Sequence, residues 1–175
     1  MESVTECAAK RRPATPSLYI RIGREYAPAP DDVLIDHIRR WAIERFRPGA
    51  VVLDDDLMIE AFLITKLADR EHEVFAVVLL DGGRRLIEYV EITQGDINTC
   101  FVYAREIVKV ALRHNASSVV FAHNHPSGCV EPSQADIAIT RRLREALAHV
   151  DIRVIDHLIV GKKITSFAKR GLLRP

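Results

Sequence analysis

From residue 73 onward the chain alternates between two hydrophobic rhythms. Short continuous apolar runs give way to longer stretches in which apolar residues return every three or four positions. The run EVFAVVLLD, 73–81, is apolar and rich in β-branched residues over the length of a buried strand. Gly82-Gly83 supplies a turn, and RRLIEYVEIT, 84–93, reads as the returning strand. AREIVKVALRH, 104–114, has helical spacing, with Ile107, Val110, Ala111 and His114 on one side. SVVFA, 118–122, predicts a central strand. Residues 133–149 predict a helix with Ile139, Leu143, Leu147 and Val150 turned inward, and IRVIDHLIVG (152–161) and ITSFA (164–168) predict two late strands. Alternation of strands with helices predicts an α/β domain, its helices packed on a mixed sheet.

Upstream the pattern is less regular. Residues 54–69 predict a helix whose three aspartates, Asp54 to Asp56, suit the positive end of its dipole. Residues 31–46 predict another, with Leu34, Ile38, Trp41 and Ala42 on one face and Pro48-Gly49 as its stop. Residues 1–30 hold Lys10-Arg11-Arg12 and four prolines, which predicts a flexible extension. The expected organisation is an extension over 1–30, an N-terminal helix over 31–49 and one α/β domain over 50–174.

Composition narrows the function classes. The chain has 175 residues, 48% of them hydrophobic, and a formal net charge of +1. That balance does not support a dedicated polyanion binder, although DNA remains a candidate partner through local basic clusters such as Arg141-Arg142-Arg144. Cys7, Cys100 and Cys129 are odd in number and form no C-x-x-C pair, which argues against a disulfide framework. The longest apolar run, VFAVVLL, is too short to span a bilayer as a helix, so no membrane association is expected. With no export signal visible, the expected location is cytoplasmic.

The candidate chemistry lies in FAHNHPSGCVEPSQAD, 121–136. Residues two apart on an extended chain point the same way, so His123 and His125 can converge while Asn124 points opposite. Pro126-Ser127-Gly128 then turns the chain. Ser133 and Asp136 have the spacing of a helix capping box, which by itself accounts for both. Together, two imidazoles and a carboxylate at a helix start form an N/N/O set, the arrangement of catalytic zinc with one position left open. Cys129, on the turn, is taken as a non-ligand.

H-x-H, seven residues, S, two residues, D is the JAMM signature, and the chain resembles the JAB/MPN metalloprotease superfamily. AHNHPSG, PS and D, followed by DHLIVG (156–161) and SFAKRGLL (166–173), with QGDIN (94–98) and Arg105-Glu106, resemble its bacterial RadC-like branch over about residues 50–174. The resemblance implies a cytidine-deaminase-like α/β/α sandwich and a bound Zn²⁺ held by His123, His125 and Asp136. It implies hydrolysis of a peptide or isopeptide amide, with Glu73 as proton carrier (Glu71 the alternative) and the Ser133 hydroxyl on the oxyanion. A peptide or protein substrate is then the expected partner. The branch also carries a DNA-repair label, which leaves a nucleic-acid-processing role as the alternative. Asp156 and His157 match the branch too, either as partners that orient a metal ligand or as a polar pair that fixes sheet packing. Tyr103 and Ala104 stand where the branch usually has His-Pro, a departure that leaves the metal ligands intact.

Overall fold

The computed structural model describes residues 19–22, 25–28, 33, 52–53, 56–94 and 102–173. The chain divides into two compact units, 1–40 and 41–175. Within the first, Tyr19–Ile22 (β1) and Glu25–Pro28 (β2) pair as an antiparallel hairpin, inside the stretch expected as an extension. The helix expected over 31–46 lies outside the described residues, Val33 apart.

The second unit is built in the order α1 (Asp56–Leu67), β3 (Val74–Leu80), β4 (Leu86–Gln94), α2 (Ala104–Arg113), β5 (Ser118–Asn124), α3 (Gln134–Ala148), β6 (Arg153–Val160) and β7 (Ile164–Ser166). Its sheet has the order β4-β3-β5-β6-β7, with β5 and β6 parallel and the other neighbours antiparallel. The expected α/β fold with a mixed sheet and β5 at its centre is what the chain forms. Strands β3 and β5 are buried along their whole length, which is why they read as unbroken apolar runs rather than alternating ones.

The period of two distributes these strands between two cores. Val74, Val78 and Leu80 with Val120, Ala122, Leu158 and Val160 pack under Ile59, Phe62, Leu63 and Leu67 of α1. Phe75, Val77 and Leu79 with Val119 and Phe121 pack under Ile107 and Ala111 of α2 and Leu143 and Leu147 of α3. Layers of helix, sheet and helix result. Because 119, 121 and 123 share a face, His123 points toward the α3 layer and Asn124 toward the α1 layer.

Strand β6 carries one irregularity. Val119 pairs with Val154 but Val120 pairs with Asp156, so Ile155 is an extra residue in β6. The bulge changes the phase of the strand. Val154 and His157 therefore both face the α3 side, although they are three apart. Strand β7 is shorter than ITSFA predicts. The Ser166 hydroxyl takes the Lys169 N–H and Asp156 takes the Ala168 N–H, so the backbone leaves the ladder there. No helix among the described residues is long and apolar enough to cross a membrane.

Candidate metal centre

His123 is the penultimate residue of β5, and His125 follows directly after the strand, its N–H bonded to the Val160 carbonyl of β6. The extended backbone persists far enough for both rings to converge. Their Nε2 atoms lie 3.0 Å apart. Asp136 enters from the first turn of α3, its Oδ1 3.5 Å from His123 Nε2 and its Oδ2 4.0 Å from His125 Nε2. Glu73, just before β3, brings Oε1 to 3.9 Å from His123 Nε2 and 3.7 Å from His125 Nε2. Glu73, His123 and His125 offer ligand atoms all within 4.8 Å of one another. The group that gathers most closely is therefore the two expected histidines with Glu73, while Asp136, the carboxylate expected as the third ligand, lies against them through two different oxygens, Oδ1 toward His123 and Oδ2 toward His125.

Ser133 caps α3. Its Oγ accepts from the Asp136 N–H at 3.1 Å, and the Asp136 carboxylate accepts from the Ser133 N–H. The capping box occupies only one carboxylate oxygen: Oδ2 receives both the N–H and the hydroxyl of Ser133, each at 2.7 Å. Oδ1 takes no part in the box and faces His123 Nε2 at 3.5 Å. Cap and ligand are therefore compatible roles for Asp136, one on each oxygen.

The proton order around the imidazoles follows from the hydrogen bonds. The Thr140 hydroxyl has one proton and donates it to the Asp136 carbonyl, so toward His157 it can only accept. His157 Nδ1–H then donates to Thr140 Oγ1 (2.6 Å), leaving His157 Nε2 as the acceptor of the His123 Nδ1–H (2.8 Å). His125 Nδ1–H donates to the Cys129 carbonyl at 2.6 Å. With both Nδ1 atoms protonated, neutral His123 and His125 each carry a lone pair on Nε2. Two lone pairs 3.0 Å apart repel unless a cation lies between them. This donor set fits a divalent transition metal, and its partners are of the kind that fix the tautomer of metal-binding histidines.

Burial reinforces the neutral state. His157 is fully buried among Phe75, Phe121 and Phe167, with ring centroids 5.5, 5.9 and 4.6 Å away. Burial holds its pKa well below the usual imidazole value, and the nearby His123 and His125 push the same way. His123 is held down to about 4, mainly by burial; Asp136 opposes the shift and His125 adds to it. Below pH ~6.5 the unfolded chain therefore binds protons that the folded chain does not. Metal-free protein should lose up to about 1.4 kcal/mol of stability per pH unit for each of these two histidines as pH falls from ~6.5. For His123 this dependence flattens once pH passes the folded value of about 4. Chemical denaturation of chelator-treated protein at stepped pH checks this slope.

The matching family is the RadC-like JAB domain, over residues 53–172. The chain belongs to the RadC-like JAB domain family. Among its relatives, a UPF0758 protein of Vibrio cholerae is 57% identical over 112 residues, covering 64% of this chain and 71% of the relative. One from Cellvibrio japonicus is 55% identical over 123 residues (70% of this chain, 55% of the relative). One from Shewanella baltica is 48% identical over 134 residues (76% and 59%). The matched region spans little more than half of the latter two relatives.

Within this RadC-like domain the remaining sequence candidates separate clearly. His157 bonds to His123, whereas Asp156 points into the other layer. Asp156 binds the His157 N–H, the Ala168 N–H and the Ser166 hydroxyl, which pins β7 and the turn after it. His157 is thus the half of the pair that reaches the imidazoles, and Asp156 the half that fixes sheet packing. Of the two glutamates, Glu73 is the one whose carboxylate reaches the imidazoles, while Glu71 is exposed. Tyr103 is the N-cap of α2 and half exposed, and Ala104 opens that helix. Cys129 contributes its backbone carbonyl, and its thiol is exposed. Thr140 was not legible as a site residue. Its signal was a hydroxyl four residues after Asp136 within an otherwise apolar inward stripe. Thr140→Val should orphan the His157 Nδ1–H and weaken binding of a divalent metal about ten-fold, with Thr140→Ser restoring it; a chelator-competition titration measures both.

Proposed function

We propose that this chain is a zinc-dependent hydrolase of the JAMM class that cleaves amide bonds in a peptide or protein substrate. The observation that carries this reading is the gathering of the His123 and His125 Nε2 atoms and the Glu73 carboxylate within 4.8 Å of one another, with Asp136 Oδ1 3.5 Å from His123 Nε2. His123, His125 and Asp136 would hold the ion. When bound, zinc would polarise the scissile carbonyl and supply hydroxide near neutral pH.

The chain's own groups divide the rest of the work. Glu73 stands beside both imidazoles with its side chain only partly screened from solvent, 17% exposed. Its carboxylate takes the proton of the attacking nucleophile and returns it to the leaving amine. Ser133 supplies a hydroxyl to the oxyanion. That hydroxyl rests on Asp136 Oδ2 and must turn away to act, while the Ser133 N–H keeps the same oxygen satisfied. A cleft lined by Arg70, His125, Ser127, Gly128 and Lys162 opens beside His125 and gives an extended substrate a path past it.

An unbiased peptide and ubiquitin-like conjugate screen tests the reading. Cleavage should appear with zinc-loaded protein, vanish with chelator and return on adding zinc. Zinc-loaded protein that cleaves nothing but binds DNA with a steep salt dependence would replace this reading by the nucleic-acid alternative.

A further inference from the structure

Asn124 is the middle residue of the His123-Asn124-His125 triplet, and its side chain turns away from the imidazoles. It is nevertheless only 3% exposed. Its Oδ1 accepts the Val74 N–H at 2.8 Å, and its Nδ2 donates to the His72 carbonyl at 3.1 Å and the Arg70 carbonyl at 3.4 Å. Two of these partners, Val74 and His72, are the residues on either side of Glu73. One primary amide therefore grips both neighbours of that glutamate across sequence separations of 50 and 52 residues.

The sheet register explains why an amide is needed there. Strands β3 and β5 pair from Leu80 with Ser118 to Phe75 with His123. The next rung would join Val74 to Asn124. The backbone ladder stops, and the side chain of Asn124 takes over the Val74 N–H. Only a group with an acceptor and two donors on a short stem meets this N–H and both carbonyls; an aspartate would set an oxygen against two oxygens.

We infer that Asn124 is the positioning residue for Glu73: it fixes the segment 70–74 to the strand that carries His123 and His125, and so holds the Glu73 carboxylate 3.7–3.9 Å from both imidazoles. The inference deepens the hydrolase reading and rests on it for the role of Glu73. The same alternation that points the two histidines at the ion points the residue between them at the glutamate's backbone.

Zinc affinity measured by chelator competition, arranged as a double-mutant cycle, tests this. Glu73→Gln should keep one zinc and weaken binding about ten-fold, the lower end for a group that supports a metal site without ligating it. Asn124→Ala should weaken it by a similar factor and add less than about three-fold in the Glu73→Gln background, because both changes remove the same carboxylate from the same place. Asn124→Leu, which fills the space without the hydrogen bonds, stands in if Asn124→Ala does not fold. Factors that multiply in the double variant, or an Asn124 variant that loses thermal stability with unchanged zinc affinity, would overturn the assignment. Amide exchange separates this idea from the one beneath it. If the wild-type protein takes up no zinc, the hydrolase reading falls, while protection of the Val74 amide that disappears in the Asn124 variant still supports the clamp. An unprotected Val74 amide in the wild type, or protection unchanged by the substitution, removes it.

Discussion

Asp136→Ala protein is expected to purify without stoichiometric zinc. Structural zinc sites draw about 10–16 kcal/mol from four ligands, so one ligand carries about 3–4 kcal/mol, or roughly two to three orders of magnitude in affinity. The substitution also removes one half of the α3 capping box, at a cost of about 1 kcal/mol in fold stability. The two losses can be separated. Asp136→Asn keeps a carbonyl oxygen to accept the Ser133 N–H but brings no charge to the imidazoles. It should retain the helix and still bind zinc poorly. Metal analysis of the three proteins, alongside their denaturation midpoints, checks this. Full zinc occupancy in Asp136→Ala would mean that Glu73, which is as near to the imidazoles, is the ligand.

Glu73→Gln is expected to give the opposite pattern. One zinc stays bound, and turnover on any substrate found by the screen falls by about two to four orders of magnitude, the usual worth of a positioned proton carrier. Glutamine keeps the size and polarity of the side chain but cannot accept and return a proton. The loss should therefore appear in kcat, with KM little changed. A variant of full activity would mean that another group carries the proton.

The sequence made the strand-borne part of this site legible because its geometry is local. A period of two puts His123 and His125 on one face whenever the strand continues, and β5 does continue, to Asn124. Ser133 and Asp136 were legible for a similar reason, since a capping box spans one helical turn. The continuous apolar runs of β3 and β5 announced a covered sheet before any helix was placed. What the sequence hid depends on pairing between distant strands. No local pattern reveals the extra residue at Ile155, yet it is what turns His157 toward His123. Thr140 gains its meaning only once α3 lies over β6, where its hydroxyl decides which nitrogen of His157 bears the proton. Asn124 read as the residue that points away; its three partners sit 50 to 54 positions earlier.

The most direct measurement is anomalous diffraction at the zinc absorption edge from crystals of protein purified without chelator. One peak is predicted, in bonding contact with His123 Nε2, His125 Nε2 and Asp136 Oδ1, with the Glu73 carboxylate beside it but not bound. No peak there, or a peak that ignores either imidazole, would contradict the account.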